Sequence, residues 1–297
     1  MSNKRSLVLS GGGSKGAFQI GVLRKLIEEN PLLQYDQICG VSVGAINAAS
    51  LGMFDKKEFS KAVQYMQGKW FNDVETKTIH KPWLFGVVQG LLFEKSLFNS
   101  SPIHEYLKNN LDLDKLVKSN VDVVVGACSL ETGEYIYVNK HDRDNMGDNA
   151  NYIDWICASS SFPVFFTPVR INNKLWTDGG VRSMTPLSYA IKSGHDIIDV
   201  ILSYDPEVIE PKEGDLSVFD QLLRTLDLMS NQIGIADIKI AGLKNDLVEL
   251  NSKYKKVEIN VYCPNEHLTS NSLDFNKESV KKMFEIGYNN HRLCIKY

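Results

Sequence analysis

The sequence predicts an α/β fold, with a mostly parallel central sheet flanked by helices. Three observations carry that expectation. Short, apolar, β-branched runs alternate along the chain with longer segments whose apolar residues recur at helical spacing. The strand-like runs Leu7-Val8-Leu9 and Val123-Val124-Val125 are continuously apolar, as strands covered on both faces are. Glycine-rich turns stand directly after the first two runs, where a strand must pass into a helix.

The elements follow in order. Leu7-Val8-Leu9-Ser10 is a short buried strand. Gly11-Gly12-Gly13-Ser14-Lys15-Gly16 is a loop, after which Ala17, Ile20, Leu23, Leu26 and Ile27 mark a helix. Ile38-Cys39-Gly40-Val41 is the second strand, and the Ala-rich run Ala45-Ile46-Asn47-Ala48-Ala49 begins the second helix. Residues 55–118 read mostly as helices around the apolar segment Pro82 to Phe93. Val121 to Cys128 is a buried strand, and Glu131-Thr132-Gly133-Glu134 turns into Tyr135-Ile136-Tyr137-Val138. A helix around 151–160 precedes Pro163. Asp196 to Ser203 is β-branched and strand-like, residues 216–246 form one or two amphipathic helices, Lys256 to Cys263 is a late strand, and Ser279 to Tyr288 a terminal helix. No repeat, low-complexity tract or linker divides the chain. It reads as one domain over 1–297, with core motifs within about 5–190 and a C-terminal extension over about 205–297.

Composition narrows the function. A chain of 297 residues with 43% hydrophobic content can bury a full core. The formal net charge of −3, with no basic run of the kind that binds nucleic acid or anionic lipid by itself, argues against nucleic acid as a partner and against a lipid contact held by charge alone. The five cysteines form no C-x-x-C pair and lie mostly in apolar segments, which suits reduced core residues of a cytoplasmic protein. Only three apolar residues follow the charged start Met1 to Ser6, so no signal peptide is read there. No run approaches the roughly eighteen apolar residues of a membrane span.

The chemistry concentrates in three segments. Gly40-Val41-Ser42-Val43-Gly44 is a G-x-S-x-G frame in strand–turn–helix context, the setting of a nucleophile elbow. Small flanking residues let so tight a turn form, and the turn holds the Ser42 hydroxyl above the sheet. A free serine is a poor nucleophile, so a base and an oxyanion site must converge on it. Gly11-Gly12-Gly13 can turn successive N–H groups into one concavity at a helix N-terminus, a site suited to an oxyanion or a phosphate. Lys15 adds a nearby positive charge. The same loop matches a dinucleotide fingerprint, Gly11-x-Gly13-x-x-Gly16 with Asp36 twenty residues beyond Gly16. In such folds the acid ends the second strand, whereas Asp36 precedes it and Ser42 holds that place. The P-loop pattern fails, because Ala17 and Phe18 follow Gly16.

Two consecutive parallel strands joined by a helix end on the same edge of the sheet. The glycine loop and Ser42 therefore face each other, and a carbonyl attacked by Ser42 would place its oxyanion in the loop. The third segment, Leu175-Trp176-Thr177-Asp178-Gly179-Gly180, offers a carboxylate as base. Its glycines let the backbone bend tightly beside another chain segment.

Together these segments resemble the patatin-like phospholipases. Gly11 to Gly16 corresponds to the oxyanion loop, Gly40 to Gly44 to the elbow, and Asp178-Gly179-Gly180 to the acid motif. Ala158-Ser159-Ser160-Ser161-Phe162-Pro163 with Phe166 and Pro168, and Lys95 to Pro102, are similar to further family stretches. The resemblance spans roughly residues 5–190. It implies a serine–aspartate dyad hydrolase that cleaves acyl esters of phospholipid or lysophospholipid in membranes or micelles. Ser42 would be the nucleophile and Asp178 the general base. Gly11, Gly12, Gly13 and Val43 would supply the oxyanion hole, and Lys15, Phe162, Pro163, Gly179 and Gly180 would lie near substrate. No metal and no cofactor is implied.

Two alternatives stay open from the residues alone. One is a lipid- or nucleotide-phosphate-binding module in which Ser42 is structural. The other is a Ser-His-Asp α/β-hydrolase, for which His267 and His291 are the late histidines; both read as surface residues, and only one strand precedes the strand that carries the serine, where that fold has several. Residues 82–93 have two readings. They form a buried core helix, or a mobile cap over Ser42 that touches a bilayer with Trp83 at headgroup depth.

Overall fold

The computed structural model describes residues 3–142, 151–206, 217–250, 256–266, 268–269 and 271–296. Among the described residues nine strands join in one sheet: β1 (Arg5–Leu9), β2 (Gln37–Gly40), β3 (Asp122–Ser129), β4 (Tyr135–Asn139), β5 (Val169–Ile171), β6 (Lys174–Asp178), β7 (Ile197–Ile201), β8 (Glu258–Pro264) and β9 (His291–Lys296). The order is β5-β6-β3-β2-β1-β7-β8-β9, with β4 paired to β3. The five central strands β3-β2-β1-β7-β8 run parallel, and the flanking pairs β3–β4, β3–β6, β5–β6 and β8–β9 are antiparallel.

Eleven α-helices are described: α1 (Gly16–Glu29), α2 (Val43–Leu51), α3 (Phe59–Asn72), α4 (Thr76–Ile79), α5 (Gly86–Phe93), α6 (Ser101–Asn110), α7 (Leu113–Lys118), α8 (Tyr152–Ser159), α9 (Leu187–Lys192), α10 (Val218–Leu250) and α11 (Lys277–Asn289). The central strands sort their side chains by parity. Leu7, Leu9, Ile38, Val123 and Val125 belong to one core with α1, α2, α3, α8 and α11. Val8, Cys39, Val124, Ile198 and Val200 belong to the other, with α9 and α10. A period of two sends alternate residues to opposite faces, and helices cover both. The result is the α/β layering that the apolar runs predict.

The structure departs from sequence expectation at the margins. The sequence predicts one or two helices over residues 216–246; α10 is a single helix of 33 residues. The hairpin β5–β6 is an addition to the predicted elements. Its two-residue turn, Asn172-Asn173, has φ of 50° and 61°, the primed conformation that matches strand twist and that asparagine tolerates. Asn-Asn between Val169-Arg170-Ile171 and Lys174-Leu175-Trp176 is the signal that marks it. Strand β9 follows α11 at the sheet edge, where its half-exposed, charged sequence carries little alternation.

One feature of the sheet positions the site. Strand β2 pairs with β3 only as far as Gly40↔Val125. From Ala127 onward β6 pairs antiparallel with β3, ending in Ala127↔Asp178. Because β4 also pairs Ala127 and Cys128, it must lie on the opposite edge. Strand β6 therefore continues the edge that β2 leaves, and Asp178 arrives where the elbow begins.

Candidate active site

The elbow is strained and over-determined. Ser42 has φ 57° and ψ −129°, a region non-glycine residues rarely occupy and that costs of order 1–3 kcal/mol unless its surroundings impose it. Its N–H donates to the Ser159 carbonyl at 3.1 Å and lies 3.2 Å from the Ser159 hydroxyl. Its carbonyl accepts from Ala45 at 2.9 Å, the first bond of α2. The frame glycines are needed for space: a Cβ on Gly40 would run into the Gly44 carbonyl, and one on Gly44 into the Leu9 carbonyl.

Asp178 is 1% exposed. Its N–H donates to the Ser161 carbonyl at 3.0 Å, which also accepts the Thr177 hydroxyl at 2.5 Å. Thus Ser159 and Ser161, two residues apart, hold the serine and the acid in register. Asp178 Oδ1 accepts the Gly180 N–H at 2.7 Å. Oδ2 is buried and lacks a hydrogen-bond partner of normal geometry. Burial pushes the carboxyl from 3.8 to about 7, opposed by the Ser42 hydroxyl and the Gly180 amide. A carboxyl poised near neutrality beside a serine can exchange a proton with it at working pH.

The glycine loop closes the site from β1. Gly11 would place a Cβ 3.2 Å from the Ser42 Cβ, so the two strand ends do meet. The Gly11 N–H, expected among the oxyanion donors, instead donates to the Met184 carbonyl at 3.1 Å. The amides of Gly12, Gly13 and Val43 make no hydrogen bond to described residues and remain the candidate donors. Gly13 has φ 57°, and a Cβ there would strike the Ser272 carbonyl, which accepts the Ser14 N–H at 2.8 Å.

One cavity gathers these groups. Gly11, Gly12, Gly13, Ser42, Val43 and Asp178 line it beside largely apolar walls from Ile46, Met66, Trp70, Phe162, Phe165, Leu223 and Phe275. Lys15 also lines it, its ammonium 3.3 Å from Asp227 of α10. Of the other expected neighbours, Phe162 lines the cavity and Pro163, Gly179 and Gly180 do not. A Cβ on Gly179 would lie 2.5 Å from the Gly126 carbonyl oxygen, and Gly180 donates its N–H to Asp178.

Sequence reasoning missed the braces. Gln19 donates to the Ser10 carbonyl at 2.7 Å, Asn47 to Gln19 at 2.9 Å and Trp70 to Asn47 at 3.1 Å. This buried chain ties the glycine loop to α2. Gln19 and Asn47 stand as lone polar residues in the apolar runs of α1 and α2, which is a readable signal. On the other face Asp237 of α10 accepts the Thr185 N–H at 3.0 Å and the Ser183 hydroxyl at 3.2 Å. Between them lies Met184, whose carbonyl holds Gly11. Burial pushes the Asp237 carboxyl up to about 6, against the opposing pull of Thr185 and Ser183.

The competing arrangements find other places. Asp36 precedes β2, accepts the Arg5 N–H at 2.9 Å and pairs with Lys56 at 2.8 Å. It sits at the strand starts, across the sheet from the glycine loop. No described histidine lines the cavity. His291 contacts the Gly287 carbonyl at 2.7 Å through Nδ1, and the ring of His80 packs on Phe98 at 4.6 Å. His267 lies outside the described residues. Cys39, Cys128, Cys157 and Cys263 are buried, Cys294 is half-buried, and all are free thiols. Among the described residues no helix is long and apolar enough to cross a membrane. Residues 82–93 are not the buried core helix of the first expectation. Leu84, Phe85, Leu91, Leu92 and Phe93 are exposed, so the segment is not core, and in this conformation none of its residues lines the cavity beside Ser42.

Comparison with known proteins agrees with the motif resemblance. A family model described as patatin-like phospholipase matches residues 7–191, more than half of the chain. The chain is 28% identical over 205 residues to calcium-independent phospholipase A2-gamma of Rattus norvegicus, covering 63% of this chain and 26% of that protein. It thus spans about a quarter of that relative's length. It is 25% identical to uncharacterized protein L620 of Acanthamoeba polyphaga mimivirus, covering 94% and 85% of the two chains. A cGAMP-activated phospholipase of Escherichia coli (strain TW11681) is 25% identical over 61% of this chain and 53% of its own. Among solved structures, VipD from Legionella pneumophila aligns over 100% of this chain and 68% of its own, with a TM-score of 0.42 and 12% identity.

Proposed function

Because the chain belongs to the patatin-like phospholipase family, we propose that it hydrolyses acyl esters of membrane or micellar lipids through Ser42 and Asp178, as a phospholipase A or lysophospholipase. One observation carries the reading. A serine in a strained turn adjoins a buried carboxyl with an unpartnered oxygen, on the wall of a largely apolar cavity.

Chemistry follows from the placement. Asp178 Oδ2 takes the Ser42 proton as Oγ attacks the acyl carbonyl carbon. The tetrahedral oxyanion is stabilised by the amides of Gly12, Gly13 and Val43, donors fixed before the charge develops. When the ester C–O bond breaks, Asp178 returns the proton to the departing alcohol oxygen. Water then attacks acyl-Ser42, Asp178 takes its proton, and the fatty acid leaves as Ser42 is reprotonated. The apolar walls suit an acyl chain, since removing it from water is favourable by about 0.8 kcal/mol per buried methylene. Lipid substrate implies contact with a membrane or micelle surface, and the chain is read as a cytoplasmic, peripherally associating protein.

A fluorophosphonate serine probe tests the reading. Covalent labelling should map to Ser42, disappear in a folded Ser42→Ala variant, and be accompanied by fatty-acid release from phospholipid micelles. Labelling elsewhere, or ester turnover by Ser42→Ala, would overturn it.

A further inference from the structure

Helix α5 is inside out. Its glycine at position 90 faces the protein and its large apolar side chains face solvent. Gly90 is buried, its Cβ position 2.7 Å from the Ser96 and Leu97 carbonyls. Leu84 is 86% exposed, Phe93 81% and Phe85 75%, and Val87, Val88, Leu91 and Leu92 are exposed with them. A helix that stabilised the core would bury those side chains. So large an exposed apolar patch marks an interaction surface.

The base of the helix is tied to the body of the protein. Trp83 donates its indole N–H to the Ser96 carbonyl at 3.0 Å, and Lys81 and Asn99 pair as an antiparallel bridge. The same base continues into the cavity wall. Leu97 N–H donates to the Val164 carbonyl at 2.8 Å and Phe98 N–H to the Phe165 carbonyl at 3.0 Å. Val164 is itself exposed, while Phe165 and Phe166 line the cavity. The exposed patch and the apolar wall beside Ser42 are thus two sides of one ledge.

We propose that α5 is a fixed wedge that inserts into the surface of a lipid bilayer beside the cavity. This deepens the hydrolase reading and rests on it for the identity of the substrate. Charge favours a lipid surface as the occupant. Lys81 and Lys95 bracket the segment, are exposed, and form no ion pair among the described residues, whereas Glu94 is the single acid between them. Lysines at that level meet lipid phosphates while the apolar groups enter hydrocarbon. Shape favours it as well. Large side chains project on several sides of one short helix, and a fluid surface can surround them. An acyl chain lifted beside α5 would pass over the Phe162–Phe166 ledge toward Ser42 without crossing open water.

The test uses the full chain carrying Ser42→Ala, so that binding is scored without hydrolysis, and phosphatidylcholine vesicles with and without phosphatidylserine. The parent should sediment with vesicles, more strongly with phosphatidylserine. Adding Leu84→Ser, Phe85→Ser and Leu92→Ser should weaken binding by at least about a hundredfold, since even partial removal of three large apolar side chains from hydrocarbon exceeds that size. With Ser42 intact, the same triple variant should melt at the parental temperature and hydrolyse a soluble short-chain ester at the parental rate. As a conservative check, Phe85→Trp should add an indole emission that blue-shifts on vesicles and is quenched by brominated lipid. Unchanged vesicle binding by the triple variant, no binding by the parent, or an unshifted added emission in Phe85→Trp would overturn the wedge. A concentration-dependent dimer abolished by the triple variant would also overturn it, assigning the patch to a second copy. Absence of soluble-ester hydrolysis by the unsubstituted chain would sink the active-site reading instead, leaving the vesicle result to stand separately.

Discussion

Replacing Asp178 by Asn should sharply lower turnover and, at the same time, make the protein less sensitive to alkaline pH. Burial raises the carboxyl from 3.8 to about 7, and Asp178 is 1% exposed, so solvent screens the effect little. That rise corresponds to about 4 kcal/mol across the whole interval, since each pH unit is about 1.36 kcal/mol. Between the two values the folded chain retains a proton that the unfolded chain has released. The contribution to stability is therefore fully present below about 3.8 and is lost as pH rises through about 7. Urea denaturation at pH 5 and pH 8 measures the part of it that falls in that window. The native chain should lose up to about 3 kcal/mol more than Asp178→Asn between those pH values. Activity should run the other way. With a soluble short-chain ester, kcat/KM should rise about tenfold per pH unit below about 7 and level off above it, because the base must be ionised. Asp178→Asn should cost at least about a hundredfold in rate. A pH-independent rate between 5 and 8, or near-native turnover by Asp178→Asn, would refute the assignment. An identical pH dependence of stability in both proteins would refute the burial argument.

Three further perturbations separate the parts of the site. Gly13→Ala should lower kcat by the equivalent of roughly 2.7–4 kcal/mol, the effect of losing one oxyanion donor, because its Cβ meets the Ser272 carbonyl and turns the amide; unchanged turnover would show that the loop is only a turn. Asp237→Ala should reduce both kcat and Tm by freeing the Thr185 N–H and Ser183 hydroxyl beside Met184, while Asp237→Asn, which keeps an acceptor, should restore most of both; equal damage by the two variants would mean that charge rather than the hydrogen bonds holds the turn. Substituting His80, His104, His141, His195, His267 or His291 by Gln, one at a time, should leave turnover within a few-fold of native, and a single histidine variant as inactive as Ser42→Ala would replace the dyad by a triad.

Part of the candidate site is legible in the sequence because it is local. A triple glycine after a buried strand, and a serine framed by glycines after the next, each prescribe a strand–turn–helix within a few residues. Asp178 is legible as a candidate only through its motif. Its role depends on β6 taking over the edge of β3 that β2 vacates, and that pairing joins residues far apart in the chain. The assignment of Gly11 as a donor fails for the same reason. Its N–H is taken by Met184, a residue whose approach no local pattern announces. The segment 82–93 shows the limit most plainly. Its composition suits a buried helix, and nothing within it reveals that the protein offers a surface for Gly90 and none for Leu84 or Phe93.

Local rules therefore determined what this chain can form by itself: the order of the central strands and the helices between them, the two glycine turns, and the apolar faces that make an α/β sandwich. Backbone conformation and hydrophobic period act over a few residues, so the sequence carries them openly. Tertiary structure alone decided the distance-dependent properties. It set Ser159 and Ser161 between Ser42 and Asp178, raised Asp178 toward neutrality by burying it, and placed Asp237 against the turn that holds Met184. It also turned α5 outward. Desolvation, hydrogen-bond partnership and exposure are relations between segments, and each takes its value only when the sheet has brought those segments together.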